Sequence, residues 1–171
     1  MIDERMAEAI NEQINAELYS AYIYYAMASW LEDQGLGGMA RWMKAQTQEE
    51  LFHADKFFDY VCERGGRVAL AGIEGPPTEW ESAAGVFAHA YEHEQYVTGR
   101  INDLMSLAIE LEDYASVNFL QWFVEEQVEE EDNTSTIAEQ VAMVEGTGQM
   151  LMLDREMGAR VFTPPASGEE D

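Results

Sequence analysis

Cysteine, histidine, proline and basic residues are all scarce: one, three, four and nine of them in 171 positions. The lone thiol, Cys62, excludes an internal disulfide and a thiolate zinc site, and is read as a quiet helix thiol. Against the nine bases stand 34 acids, a formal charge of -25. Such a surface repels phosphate backbones, which argues against nucleic-acid partners, and it concentrates cations. No apolar run approaches a membrane span, and the acidic start MIDERMAEAINEQ lacks the basic and apolar regions of a signal peptide. The expectation is a cytoplasmic protein with no membrane association. Composition alone does not separate acidity that serves solubility or a salty cytoplasm from acidity that handles cations.

An apolar content of 47% is enough for one globular domain, expected over 1–163, with an acidic tail over 164–171. Glycine and proline punctuate the chain so rarely that long helices follow. Unbroken or nearly unbroken stretches run over 4–33, 39–64, 83–111 and 115–144, and a shorter fifth over 149–162 stops at Thr163-Pro164-Pro165. Short breaks near 34–38 and 112–114 make antiparallel neighbours. The eighteen residues of 65–82, GGRVALAGIEGPPTEWES, are different. They stretch to roughly 60 Å, more than the about 40 Å length of such a helix, so helices two and three can run parallel. The fold class expected is all-α: a four-helix bundle with one long crossover between helices two and three, plus a short fifth helix.

Residues at alternating spacings of three and four form the seam that a bundle helix buries. In helix one the seam reads Ile10, Ile14, Glu17, Ala21, Tyr24, Ala28; in helix two Met43, Gln46, Glu50, His53, Phe57, Tyr60. Helix three gives Phe87, Ala90, Glu94, Val97, Ile101, and helix four Leu120, Phe123, Gln127, Glu130, Thr134, Ile137. Each apolar stripe is thus interrupted by acid near its middle. A Glu-x-x-His pair such as Glu50 and His53 is by itself common on solvated faces, but this one falls on the inward seam. Burying an unpaired carboxylate costs several kcal/mol, so the four need a positive partner. The only lysines, Lys44 and Lys56, lie off these seams. Carboxylates with one imidazole suit iron, manganese or zinc, and two divalent cations among four carboxylates leave the site near neutral.

The stretches NEQINAELYSAYIYYAMASW, QEELFHADKFFDYV, YEHE and NFLQWFVEEQVEEE together make nearly the whole chain resemble the non-haem ferritins of bacteria and archaea. The resemblance implies a ferritin-like fold and a ferroxidase that binds two irons per chain and deposits Fe(III) mineral in a homo-oligomeric shell, in such ferritins one of 24 subunits. It implies Glu17, Glu50 and His53 as ligands of the first iron, with Glu50 bridging, Glu94 and Glu130 as ligands of the second, and Gln127 beside the centre. Glu49, Glu126, Glu129 and Glu130 match a third iron position facing the shell interior. From charge patterning alone, the six acids of 125–132 fit a solvated face equally well. Helix four carries Gln127-x-x-Glu130 where bacterioferritins have a second Glu-x-x-His, and Leu51 stands where their haem-ligating Met would be, so no haem is expected.

Tyr24 matches the family tyrosine beside the centre, where it is read either as a hydrogen-bond donor or electron donor, or as a core aromatic. Trp122 matches a position near the centre. His89 and His93, four apart but off the Glu94 phase, are read as partly exposed helix residues, and Met150, Met152 and Met157 as a packing stripe on a helix to which the resemblance gives a part in shell assembly. The expected reactants are Fe(II) and dioxygen or peroxide. At -25 per chain, assembly is expected to weaken in low salt. Two rivals stand beside this reading: a rubrerythrin-like di-iron peroxidase or oxidase without stored mineral, although one cysteine supplies no electron-transfer module, and a non-enzymatic helical bundle that oligomerises through its seam.

Overall fold

The computed structural model describes residues 1–164; the tail expected over 164–171 lies outside them apart from Pro164. Among the described residues there are five helices and no strand: α1 (Glu4–Asp33), α2 (Gly37–Glu63), α3 (Ala83–Glu110), α4 (Tyr114–Val144) and α5 (Met150–Met157). None is long and apolar enough to cross a membrane.

Local chemistry sets the helix starts. Asp3, Ser82 and Asp113 cap α1, α3 and α4 by accepting from the backbone N–H of Arg5, Gly85 and Ser116. Leu36 at the start of α2 offers no such oxygen. The cap comes instead from α5, 116 residues away, where Asp154 Oδ1 accepts from Gly38 N at 2.8 Å and Met39 N at 2.9 Å. Gly38 is required by the same docking: a Cβ there would lie 1.7 Å from the Asp154 carbonyl oxygen.

Side-chain pairs reveal the helix directions. Gln13 meets Arg100 while Ser20 meets His93, so α1 and α3 are antiparallel. Gln46 meets Glu130 while Tyr60 meets Ser116, so α2 and α4 are antiparallel as well. The short turn after Asp33, with Gly35 at φ +77°, makes α2 antiparallel to α1. Consequently α2 and α3 are parallel, as the length of the crossover predicts. The crossover lies along α1, where the Asn11 side chain donates to the Arg67 carbonyl and accepts from Ala69 N.

Two apolar clusters build the core. One gathers the end of α1, the start of α2 and the start of α3 around Met27, Met39, Met43 and Phe87. The other gathers the start of α1, the end of α2, the second half of α3 and the start of α4 around Ile10, Phe57, Ile101 and Phe123. Between them lies a buried polar layer of Glu17, Ser20, Gln46, Glu50, His53, His93, Glu94, Gln127 and Glu130. The interruptions read along each seam therefore do share one level of the bundle.

The fifth helix is shorter than the expected 149–162. It ends at Met157 because Gly158 is pressed against α2, with Arg41 Nε donating to its carbonyl, and because Arg160 and Phe162 are drawn to partners on α2. The methionine stripe also differs: Met157 is buried and Met150 packs on the first cluster beside Leu153, but Met152 is exposed. Cys62 is free and exposed.

Replacing Asp154 by Ala removes the cap of α2 and is expected to cost about 1 kcal/mol in chemical denaturation. Gly38→Ala, which pushes α5 away as well as losing the cap, should cost more.

Candidate metal centre

Four helices each contribute to the polar layer, and within it Glu17, Glu50 and His53 converge. All three are buried, and one ligand atom from each lies within 4.8 Å of the others. His53 Nδ1 is 3.5 Å from Glu50 Oε2. This is no ion pair, because burial lowers the imidazole's proton affinity and leaves it neutral, a state fit for binding metal. Trp122 and Phe123 pack edge-on against the ring, with centroids 5.6 and 5.8 Å away, and fix its plane.

Glu94 stands across the layer. Tyr24 donates its hydroxyl to Glu94 Oε1, and Gln127 Nε2 donates to Oε2 at 3.2 Å. Glu130 accepts from Gln46 Nε2 at 2.9 Å, and Glu17 Oε1 accepts from Gln13 Nε2 at 2.8 Å. Gln13 in turn accepts from Arg100 Nε at 2.8 Å, which continues the chain to the surface. Neutral donors thus hold Glu17 and Glu130 on one side and Glu94 on both.

These bonds leave the layer under-satisfied. Glu17 Oε2, His53 Nε2 and Gln46 Oε1 are buried with no hydrogen-bond partner among the described residues. Burial is the main reason that Glu50 is raised well above the usual carboxylate range, with Glu94 and Glu17 adding to it. Burial likewise pushes Glu94 up to about 8, helped by Glu130. Glu130 is raised to about 7 by burial and by Glu49. Tyr24 is raised well above its ordinary value by burial and by Glu94, and so remains a neutral donor. Buried oxygens, a neutral imidazole and unpartnered donor atoms form a set that fits a hard or borderline divalent cation.

A second group lies beside the first. Glu49, Glu126 and Glu130 bring ligand atoms within 4.8 Å of one another, with Glu49 and Glu126 half-buried. Glu129 is exposed and outside this trio, although its charge raises both Glu126 and Glu49. Glu130 belongs to the layer and to the trio, so the two groups adjoin.

Several participants escaped the sequence reading. Gln13 lies one turn before Glu17 on α1, a polar residue in a buried stripe. Gln46 was on the seam without a role. His93, expected to be partly exposed, is buried and shares a 2.8 Å hydrogen bond with Ser20, because α1 and the crossover cover that side of α3. His89, half-buried, accepts from Trp80 Nε1. Arg160 pairs with Glu49 at 2.7 Å. No signal local to residue 160 announces that contact.

Fold and site together define an all-helical bundle with a buried carboxylate and imidazole centre between its helices. A family model described as "Ferritin-like domain" matches residues 7–144. A bacterial non-heme ferritin of Bacteroides fragilis is 39% identical over 160 residues, covering 94% of this chain and all of that protein. One from Staphylococcus saprophyticus is 36% identical over 163 residues, covering 95% and 98%. Among solved structures, an open pore ferritin from the archaeon Archaeoglobus fulgidus superimposes with a TM-score of 0.92 at 50% identity, covering 94% of this chain and 99% of that one. The chain belongs to the non-heme ferritin family.

In the metal-free chain Glu94 and Glu130 still hold protons at pH values where an unfolded glutamate has lost them. The folded state then binds more protons than the unfolded one, so its stability falls as pH rises from about 5 towards 8. The melting temperature of apoprotein is expected to drop over that range. Glu94→Gln should flatten the slope, and Zn(II) should restore the loss by replacing protons.

Proposed function

We propose that this protein oxidises Fe(II) in its polar layer and stores the product as ferric mineral inside a cytoplasmic shell of its own copies. Fe(II) and dioxygen or peroxide are the substrates. The observation that carries the reading is the convergence of Glu17, Glu50, His53, Glu94 and Glu130 at one buried level, with Glu17 Oε2 and His53 Nε2 unpartnered. Family membership supports it from the side of ancestry.

Two Fe(II) ions per chain balance the four carboxylates, the arrangement common to ferritin-like bundles. Glu17, Glu50 and His53 take the first, and Glu50 with Glu94 and Glu130 the second. Protons held on Glu50, Glu94 and Glu130 leave when iron binds, so uptake releases acid. Once ionised, the carboxylates favour the higher charge of Fe(III), which lowers the barrier to losing an electron. Tyr24 and Gln127 hold both oxygens of Glu94, while Gln46 on Glu130 and Gln13 on Glu17 each leave one oxygen free, so that the three carboxyls are oriented before the metal arrives. Without a second imidazole the second position is held by oxygens alone, which suits an ion that must move on. Glu130 links that position to Glu49 and Glu126, a third station towards the interior.

Shell formation is supported by the apolar side chains that the isolated chain leaves exposed, among them Tyr22, Tyr25, Leu151 and Met152. A charge of -25 per chain opposes assembly at low ionic strength. Light scattering is expected to find smaller particles in low salt than in high salt, and a constant large particle would refute this.

Fe(II) added in air in large excess should elute with the protein as ferric iron far beyond what the centre binds. A few ions per chain would instead indicate a di-iron oxidase, and none would remove the metal reading. Glu50→Ala should slow initial oxidation by more than about a hundredfold, the upper range for loss of a group that merely supports a ligand.

A further inference from the structure

Past α5 the chain turns out of the helix at Gly158 and runs along α2. Phe162 packs against Phe52 with centroids 5.9 Å apart, and Phe162 and Thr163 close one side of a small cavity of about 120 Å³ that Glu49, His53, Trp122 and Glu126 also line. The segment thus straps the region between the buried centre and the acid trio. It sends one charged side chain inward. Arg160 Nη2 donates to Glu49 Oε2 at 2.7 Å, and the guanidinium lies over Trp42, 4.6 Å from the ring centroid.

Resting on the reading of Glu49, Glu126 and Glu130 as the third iron position, we propose that Arg160 is its resident, displaceable counter-cation. The guanidinium holds the trio between iron ions and gives way to each arriving one, and so sets how tightly and how long the trio keeps an ion.

Three features favour exchange over a fixed strut. Arginine does not lose its proton, so Glu49 is freed only by moving the side chain. The pair is shielded but not sealed, with 24% and 12% of the two side chains exposed, leaving room to swing. Trp42 offers the displaced cation a face on which to remain. An ion of charge two or three wins the contest for three carboxylates against a single positive charge. When the ion departs towards the interior, Arg160 returns and prevents the trio from standing as bare, mutually repelling acids. Lys56 makes a useful contrast. It lies over Trp122 at 4.6 Å and its charge is felt by Glu126, but the salt bridges among the described residues tie it to none of the three acids.

The test uses Tb(III), a redox-inert trivalent probe whose luminescence is sensitised by nearby Trp122, titrated into the full-length protein. Glu126→Gln should abolish the sensitised class that belongs to the trio. Arg160→Gln should bind that class about tenfold more tightly, the factor for removing one competing charge-assisted hydrogen bond, and release it correspondingly more slowly to a chelator. Lys56→Gln, which removes an equal charge without vacating a ligand oxygen, should shift affinity by less than about twofold. Unchanged or weaker binding in Arg160→Gln, or equal tightening in Lys56→Gln, overturns the displacement model while the third position stands. A titration unaffected by Glu126→Gln overturns the third position itself, and the model with it.

Discussion

Carboxylates buried between two apolar clusters are the constraint on which the rest of this molecule depends. Ionised and unpaired, they would cost more than a domain's net stability, so the metal-free chain keeps protons on Glu50, Glu94 and Glu130 and surrounds the layer with neutral donors. The apolar clusters on either side supply the stability that the layer withholds, and the aromatic packing of Phe57, Phe119 and Phe123 lies directly beside it. Helix length and direction follow from the same requirement. Only long helices, antiparallel along α1–α2 and α3–α4 and joined by a crossover that spans the bundle, bring an acid from each to one level.

Satisfaction in the layer is graded. Glu17 and Glu130 each have one oxygen engaged by a glutamine, whereas Glu94 has both engaged, one by Tyr24 and one by Gln127, and these bonds orient the three carboxyls. His53 is clamped by rings rather than by a carboxylate. Under the proposed function, a first position that includes His53, a second held by oxygens alone and the half-exposed trio beyond would form a gradient from firm to loose holding.

Much of this was legible along the chain. Sparse glycine and proline marked four long helices within a residue or two of their ends, the length of the crossover implied parallel α2 and α3, and one acid per apolar seam identified the layer. Period and polarity are local quantities, and a buried seam writes them directly into residue spacing. The fifth helix was legible only in part, because its C-terminal end is decided by Gly158 against α2 and by the pull of Glu49 and Phe52 on residues beyond it.

What the sequence determined by itself, then, was the architecture and the identity of the buried acids, since amphipathic period and the cost of an unpaired charge are properties of each helix alone. The tertiary structure decided which neutral groups hold those acids and where the cations go. Arg100 reaching Gln13, Gln46 crossing to Glu130, Asp154 capping α2 and Arg160 seated on Trp42 against Glu49 depend on distances and angles between elements. All four contacts join residues at least 84 positions apart. No periodicity encodes such pairs, because hydrogen bonds and ion pairs between helices exist only once packing has set the helices side by side.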